Sequence, residues 1–172
     1  MGWETPSWKH SPTCDLWPTD DGHFFPDIEI YHRMQGSGAC VPTTLAMLTG
    51  AAPADFMGLH LNTQDPRTWS DALISYGMKL AYVPCDVRQL AYYMEELIDL
   101  DDAFLLSYYL HDLHVSPCQN GKLGPSHIVL LYHDKIHDSM IDGPTDAMSH
   151  QCLRRHTKRI FRVVPSDHPR GL

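Results

Sequence analysis

The chain has 172 residues, and 43% of them are hydrophobic, which is sufficient for one domain with a buried core. Its 13 Lys and Arg residues against 21 Asp and Glu residues give a net charge of −8, and this excludes a general binder of nucleic acids or anionic membranes. Apolar runs stay well short of the roughly 20 residues that a membrane span requires, so we expect no membrane insertion.

Cysteines are spread widely along the chain, without a Cys-x-x-Cys pair. In a reducing cytoplasm all of them would be free thiols, and one could be reactive. The first residues lack the basic and apolar regions of a secretory signal, so we expect a cytoplasmic protein or one exported without a cleaved signal. In an oxidising compartment four cysteines could pair and one would remain, and the sequence leaves both options open. The cysteines are Cys14, Cys40, Cys85, Cys118 and Cys152.

The N-terminal residues, 1–34, are rich in Pro, Trp and Asp and show no sustained hydrophobic period. They are predicted to form an irregular arm that lies over the domain. Residues 35–172 are predicted to form that single domain. Its first element is a helix over 40–48, whose apolar residues recur at helical spacing and which Gly50 ends.

Two more helices and five strands follow in the hydrophobic pattern. Asp65 is positioned to cap the first of these helices, and Gly77 is positioned to end it. Because helices precede a run of adjacent strands, the predicted fold class is α+β with a mostly antiparallel sheet. The predicted helices span 66–76 and 87–98, and the predicted strands span 78–84, 103–110, 126–133, 136–143 and 158–165.

The segment SHIVLLYHDKIHDSMIDGP, residues 126–144, is predicted to form a hairpin that reverses at Asp134–Lys135. Partners in this register would place His127 opposite Asp142, with Cβ atoms about 4.5–5.5 Å apart. A carboxylate in that position accepts the imidazole N–H, fixes the tautomer and stabilises the charged ring. A shift of one residue in the register would remove this pair.

The segment QGSGAC, residues 35–40, places a cysteine at a helix start behind two glycines. The thiolate is the nucleophilic form of cysteine, and a helix N-terminus and a nearby imidazolium both stabilise it. Cys40 has the helix start, and His127 with Asp142 behind it would supply the imidazole. The side-chain amide of Gln35 and the backbone N–H of Cys40 would donate hydrogen bonds to an oxyanion.

QGSGACVPTTLAML together with SHIVLLYHDKIHDSMIDGP resembles the papain-like cysteine peptidases, and within them the stand-alone relatives of the peptidases that remove double-glycine (bacteriocin) leaders. The resemblance implies a papain-like α+β fold, in which a central helix bearing the cysteine packs on an antiparallel sheet bearing the His and the Asp. It also implies a thiol peptidase with Cys40 as nucleophile, His127 as general base and acid, Asp142 as orienting acid and Gln35 as oxyanion donor.

Two alternatives remain open from the sequence. The same layout is similar to papain-like bacterial effectors, including toxins, that deamidate glutamine or act as transglutaminases on a host protein, because attack on a side-chain amide and on a peptide bond share a thioester intermediate. The second alternative is a binding module that has this fold but no catalytic activity. The expected partner is a protein or peptide substrate, and the oligomeric state is not predicted.

Zinc binding is a further alternative, because the sequence contains 12 histidines. A zinc site would use His111, His114 and Cys118 with His127, but the usual paired ligand spacings are missing. We therefore predict no metal and no other cofactor. The basic run RRHTKR, residues 154–159, is interpreted as a solvated turn and strand edge rather than a nucleic-acid footprint.

Overall fold

The computed structural model describes residues 16–19, 21–36, 40–58, 61–111, 118–119, 122–123 and 125–172, with backbone only at 118–119 and 122–123. It contains three α-helices and eight strands in these ranges, so the predicted α+β class is confirmed. The helices are α1 (Cys40–Thr49), α2 (Pro66–Leu73) and α3 (Ala91–Leu100). The strands are β1 (Met78–Val83), β2 (Ala103–Tyr109), β3 (Cys118–Gln119), β4 (Lys122–Leu123), β5 (Ser126–Tyr132), β6 (Lys135–His137), β7 (Thr145–Asp146) and β8 (Thr157–Pro165).

Six strands form one sheet in the order β1-β8-β2-β5-β6-β7, and β3 pairs with β4. Every strand pairing within the described ranges is antiparallel, as predicted. All seven residues of β2 are buried, because helices cover both faces of the sheet at its centre. Alternate β2 residues therefore enter two different cores: Leu105 packs with α1 and α2, while Leu106 packs with α3.

Helix α1 is the buried helix of the fold. Its residues from Val41 to Leu48 are all buried, and they pack against the sheet beside β5. Gly50 ends the helix with φ of +79°, and the ring of Tyr31 occupies the space where a Cβ at residue 50 would lie. The predicted glycine stop is therefore confirmed, and the close approach of Tyr31 is a second reason for glycine there.

The other two helices differ in how well the sequence predicted them. Asp65 caps α2 by accepting a hydrogen bond from the backbone N–H of Arg67 at 3.1 Å, and Gly77 ends the following 3₁₀ turn, as predicted. Helix α3 begins at Ala91, four residues later than predicted. The chain before it is held in extended pairing, since Gln89 forms a β-bridge with residue 156 and the N–H of Leu90 donates to the carbonyl of residue 155.

The hairpin between β5 and β6 corrects the predicted register. The turn lies at His133–Asp134, where His133 has φ of +56°, and Leu131 rather than His133 faces Ile136. The second strand ends at His137, so residues 138–143 are loop rather than strand. The predicted pairing of His127 with Asp142 across this ladder is therefore wrong.

The described residues of the predicted N-terminal arm, 16–19 and 21–34, contain no helix or strand; the rest of the arm up to residue 34 lies outside the described residues. The buried carboxylate of Asp102 holds this segment to the sheet. It accepts the backbone N–H groups of Phe24 and Phe25 at 2.8 and 2.9 Å and the guanidinium of Arg162 at 2.8 Å. Arg162 also donates to the carbonyl of Gly22 at 2.9 Å. Across the described ranges, none of the helices has the length and apolar character to cross a bilayer.

Candidate active site

Cys40 and His127 come from different elements and meet at one end of the sheet. Cys40 is the first residue of α1, where the backbone N–H groups of the first helical turn have no intrahelical acceptor. His127 is the second residue of β5, next to the helix, and its side chain forms a hydrogen-bonding interaction with Cys40. The two residues predicted as nucleophile and base are therefore brought together. Cys40 stays partly exposed, which a nucleophile requires.

Asp138 is the carboxylate that contacts His127. Its Oδ1 lies 2.8 Å from Nε2 of His127, and both side chains are buried. Burial by itself lowers the pKa of His127, but the hydrogen bonds to Asp138 and to Cys40 outweigh it and raise that pKa to about 9. With Nε2 bonded to Asp138, Nδ1 is the ring nitrogen that serves the thiol.

A second histidine binds the other oxygen of the same carboxylate. Nε2 of His150 lies 2.9 Å from Oδ2 of Asp138, and both groups are buried. Nδ1 of His150 accepts the backbone N–H of Cys152 at 3.0 Å, so the ring proton must sit on Nε2 and point at Asp138. The tautomer of His150 is thus fixed by its own neighbourhood.

Asp138 also accepts the backbone N–H of Met140 at 2.9 Å. Burial opposes ionisation, yet the hydrogen bonds from His127, His150 and Met140 together hold the pKa of Asp138 well below its usual range. An ionised carboxylate accepts from both rings, so each of the two imidazoles donates its Nε2–H to it.

Asp142, the predicted orienting acid, is exposed in the loop after β6, and its place beside His127 is taken by Asp138. The ladder alone would not have identified Asp138, because Asp138 lies beyond the last paired residue, His137. A turn closed by the N–H of Ile141 on the carbonyl of Asp138, at 3.0 Å, holds this residue where its side chain reaches the start of β5.

Gln35, the predicted oxyanion donor, is hydrogen-bonded to Ser139, the residue next to Asp138. Its backbone N–H donates to the carbonyl of Ser139 at 2.8 Å, and its side-chain oxygen accepts a hydrogen bond from the hydroxyl of Ser139. Because the oxygen is bonded in this way, the NH₂ end of the amide is the end that can donate to a substrate oxygen. Residues 37–39, which connect Gln35 to Cys40, lie outside the described ranges.

Beside this contact, His32 and His137 form a second pair of histidines. Their Nδ1 atoms are 3.1 Å apart, and Nε2 of His32 lies 2.6 Å from the carbonyl oxygen of Ile141. Since a carbonyl only accepts, His32 donates through Nε2 and His137 donates through Nδ1. Burial, followed by the nearby charge of His32, lowers the pKa of His137 to about 4, so His137 is neutral at neutral pH.

A cavity of about 210 Å³ opens beside Cys40 and His127. Its apolar part includes Val41, Trp69 and Ile128. The remainder of the lining is polar, and two basic side chains of β8 contribute to it. The arrangement therefore offers a thiol, an oriented imidazole and a space for part of a substrate in one place.

The alternative zinc site falls largely outside the described residues. His114 and the side chain of Cys118 are not among them, and His127 is engaged with Asp138 and Cys40. Within the described part of the chain, no group of three or more His, Cys, Asp or Glu side chains is placed to hold a metal ion.

Comparisons with family models, with curated proteins and with solved structures give no match to this chain.

Proposed function

We propose that the protein is a thiol-dependent amide hydrolase, a cysteine peptidase of papain-like type in which Cys40 on the central helix is the nucleophile and His127 on the sheet is the base. One observation carries the proposal. A partly exposed thiol at a helix start contacts an imidazole whose other nitrogen is hydrogen-bonded to a buried carboxylate. Nucleophile, base and orienting group in this order are the arrangement that covalent catalysis requires.

The first step would begin from a thiolate and an imidazolium. Sγ of Cys40 adds to the carbonyl carbon of the substrate amide and forms a new C–S bond. The C–N bond then breaks while the imidazolium of His127 gives its proton to the leaving nitrogen. The amine departs, and the acyl group stays on Cys40 as a thioester.

The second step returns the enzyme to its starting state. The neutral imidazole of His127 takes a proton from a water molecule, and the water oxygen adds to the thioester carbon. The C–S bond breaks, a carboxylic acid leaves, and the thiolate and the imidazolium are restored. In both steps the carbonyl oxygen gains negative charge, which the NH₂ group of Gln35 and the backbone N–H of Cys40 would stabilise.

Asp138 acts on this cycle through His127. Its hydrogen bond to Nε2 keeps Nδ1 toward the thiol and favours the charged ring. The pKa of His127, raised from its ordinary 6.5 to about 9, keeps the proton available at neutral pH. Activity should therefore hold through neutral pH and fall as the pH rises through about 9, where the imidazolium is lost.

The proposal is tested by alkylating the intact protein with iodoacetamide between about pH 4 and about pH 10 and quantifying each cysteine by mass spectrometry. Cys40 should react well below neutral pH, and it should lose that reactivity at least tenfold in His127→Ala. Cys85 and Cys152 are internal references, because burial raises the pKa of each thiol, that of Cys152 to about 12. A Cys40 that reacts only at the alkaline pH of an ordinary thiol would overturn the proposal.

Turnover then distinguishes the reactions that share this chemistry. Defined cleavage in a peptide library, lost in Cys40→Ala, is the result expected for a peptidase. Release of ammonia from an intact protein, with a glutamine converted to glutamate, would instead assign a deamidase. A thiol with the expected reactivity but no turnover on either substrate class would favour the binding module.

A further inference from the structure

The cavity beside Cys40 is large enough to admit one amino-acid side chain. Its volume of about 210 Å³ corresponds to roughly seven water molecules at about 30 Å³ each. It is lined by both Cys40 and His127, so whatever fills it lies next to the reacting thiol. Under the proposed function, one group of the substrate would occupy this space.

One wall of this subsite is apolar and has no hydrogen-bonding group to offer. Trp69 forms part of it, and its indole N–H is already donated to the carbonyl of Asn62 at 2.8 Å. Val41 and Ile128 complete the apolar wall. A bound side chain would therefore pack its methylene groups here and direct any polar end to the polar part of the lining.

The polar part of the lining includes two adjacent cations, Lys158 and Arg159, at the start of β8. Lys158 donates to the hydroxyl of Ser126 at 3.2 Å, and a hydroxyl is a neutral partner. Both basic residues are half-buried, and burial together with the charge of Arg159 lowers the pKa of Lys158. Among the described residues that line the cavity there is no Asp or Glu.

Asp65, whose charge interacts with Arg159, is already paired with another cation. Asp65 acts on Arg159 electrostatically, but its two carboxylate oxygens are bound by the guanidinium of Arg67, each at 3.1 Å. A local positive charge therefore remains beside the thiol in a protein whose net charge is −8. Partly desolvated cations of this kind are stabilised by a carboxylate, and an Arg and a Lys together suit its two oxygens.

We infer that the cavity formed by Trp69, Ile128, Lys158 and Arg159 binds a substrate carboxylate, so that the hydrolase acts at an amide next to an acidic residue. This inference rests on the proposed function, since it places the acidic group relative to the Cys40 thiol. It also gives a role to part of the basic run at residues 154–159, which the sequence alone indicated to be a solvated edge.

The test uses iodoacetate and iodoacetamide, which alkylate the same thiol and differ in carrying a carboxylate or a neutral amide. The measured quantity is the ratio of their rate constants at Cys40, with each adduct quantified by mass spectrometry at neutral pH. The imidazolium of His127 favours iodoacetate in every variant, so the change between variants isolates the contribution of the cavity. In the double variant Lys158→Met/Arg159→Met the ratio should fall roughly tenfold.

Lys135→Met is the matched control, because Lys135 is an exposed lysine on β6 outside the cavity lining and its loss changes the net charge in the same direction. Its ratio should equal that of the wild type. A second measurement uses glutarate and the neutral glutaramide as competitors of iodoacetamide. Glutarate should protect Cys40 in the wild type and in Lys135→Met but not in the double variant, and glutaramide should protect in none of them.

The inference is overturned if the double variant keeps the wild-type ratio of iodoacetate to iodoacetamide rate constants and is still protected by glutarate. This holds whether or not Cys40 is an activated thiol. If Cys40 keeps its low-pH reactivity in that case, the proposed hydrolase stands without an acidic subsite. If Cys40 reacts as an ordinary thiol while glutarate still protects it, the carboxylate site stands and the proposed hydrolase fails. Once a cleaved peptide is known, exchanging Glu for Gln beside the scissile bond should lower kcat/KM by a similar factor.

Discussion

Two buried carboxylates in this molecule, Asp102 and Asp138, each accept three hydrogen bonds, but from different partners. Asp102 accepts two backbone N–H groups of the N-terminal arm and the guanidinium of Arg162. Asp138 accepts one backbone N–H and the rings of His127 and His150. Both carboxylates are 0–1% exposed. Burial and hydrogen bonding therefore do not distinguish them.

The partner side chain makes the difference between the two regions. A guanidinium keeps its proton at every physiological pH, so the pair of Asp102 and Arg162 is a fixed contact between the arm and the sheet. The rings of Trp17 and Phe24 stack on Arg162 and close that region. An imidazole gains and loses its proton in the working range, and His127 reaches the cavity at Cys40. For this reason we assign Asp138, whose partner can titrate and lines a cavity, to the proposed reaction, and Asp102 to the structure.

The largest expected effect comes from Arg162→Met, which removes one partner of the fixed pair. It leaves the carboxylate of Asp102 buried without its counter-charge, so the free energy of unfolding should fall by about 3–5 kcal/mol. Chemical denaturation measures this loss, and kcat of the protein that remains folded should not change. The double variant Arg162→Met/Asp102→Asn should lose less than the single one, because no uncompensated charge stays behind. If kcat also falls in Arg162→Met, the distinction between a structural carboxylate at Asp102 and a reactive one at Asp138 would be lost.

Asp138→Asn should have its main effect on the reaction instead of on stability. Loss of the carboxylate disturbs the tautomer and the charge of His127, so kcat/KM should fall on the order of 10²-fold or more. Asp142→Asn is the matched control, since it makes the same chemical change at an exposed position four residues away. Steady-state kinetics of both variants give the answer. Equal activity in the two, or a greater loss at Asp142, would contradict the assignment of Asp138.

His150 should give the smallest effect, because it acts on the reaction through Asp138. In His150→Leu the carboxylate loses a hydrogen bond that lowers its pKa, so kcat should fall roughly tenfold with little change in KM. His150→Gln keeps an N–H donor at this position and should recover most of the loss.

The pH dependence of stability separates this positioning role from general damage. Asp138 has a pKa below its ordinary 3.8, so its contribution to stability is complete above that value and is lost as the pH falls. Without the hydrogen bond from His150, the folded-state pKa of Asp138 rises towards 3.8, so this contribution should be smaller and its loss should be complete at a higher pH in His150→Leu than in wild type or His150→Gln. Identical acid unfolding curves for the Leu and Gln variants would contradict a hydrogen bond from His150 to the carboxylate.

Local patterns predicted the parts of the fold that local interactions determine. The cap at Asp65, the stops at Gly50 and Gly77 and the strand cores all follow from nearest neighbours in the chain, and so does the helix start at Cys40. Cys40 and His127 were selected together because each lies at the start of an element, and the structure brings the two starts together. The late start of α3 was missed because backbone pairing with residues 155–156 competes with the helix.

The remaining features depend on contacts between distant segments. Asp138 was missed because the turn lies one residue earlier than predicted and the second strand ends at His137, which leaves Asp138 in a loop where no pairing rule applies. Arg162 and Asp102 are 60 residues apart, so nothing in either neighbourhood predicts a buried pair. Lys158 and Arg159 were interpreted as solvated because their place in the lining of the same cavity as Cys40 and Trp69 depends on the order of strands in the sheet.

The fixed tautomer of His150 limits which substitutions can accumulate at this site. Because Cys152 donates its N–H to Nδ1, the ring of His150 can only present a donor to residue 138. An asparagine at residue 138 would turn its NH₂ group toward one of two imidazole N–H groups, and two donors cannot bond to each other. Residues 138 and 150 are therefore expected to change together in any descendant of this chain, with an amide at the first accompanied by a hydrogen-bond acceptor at the second.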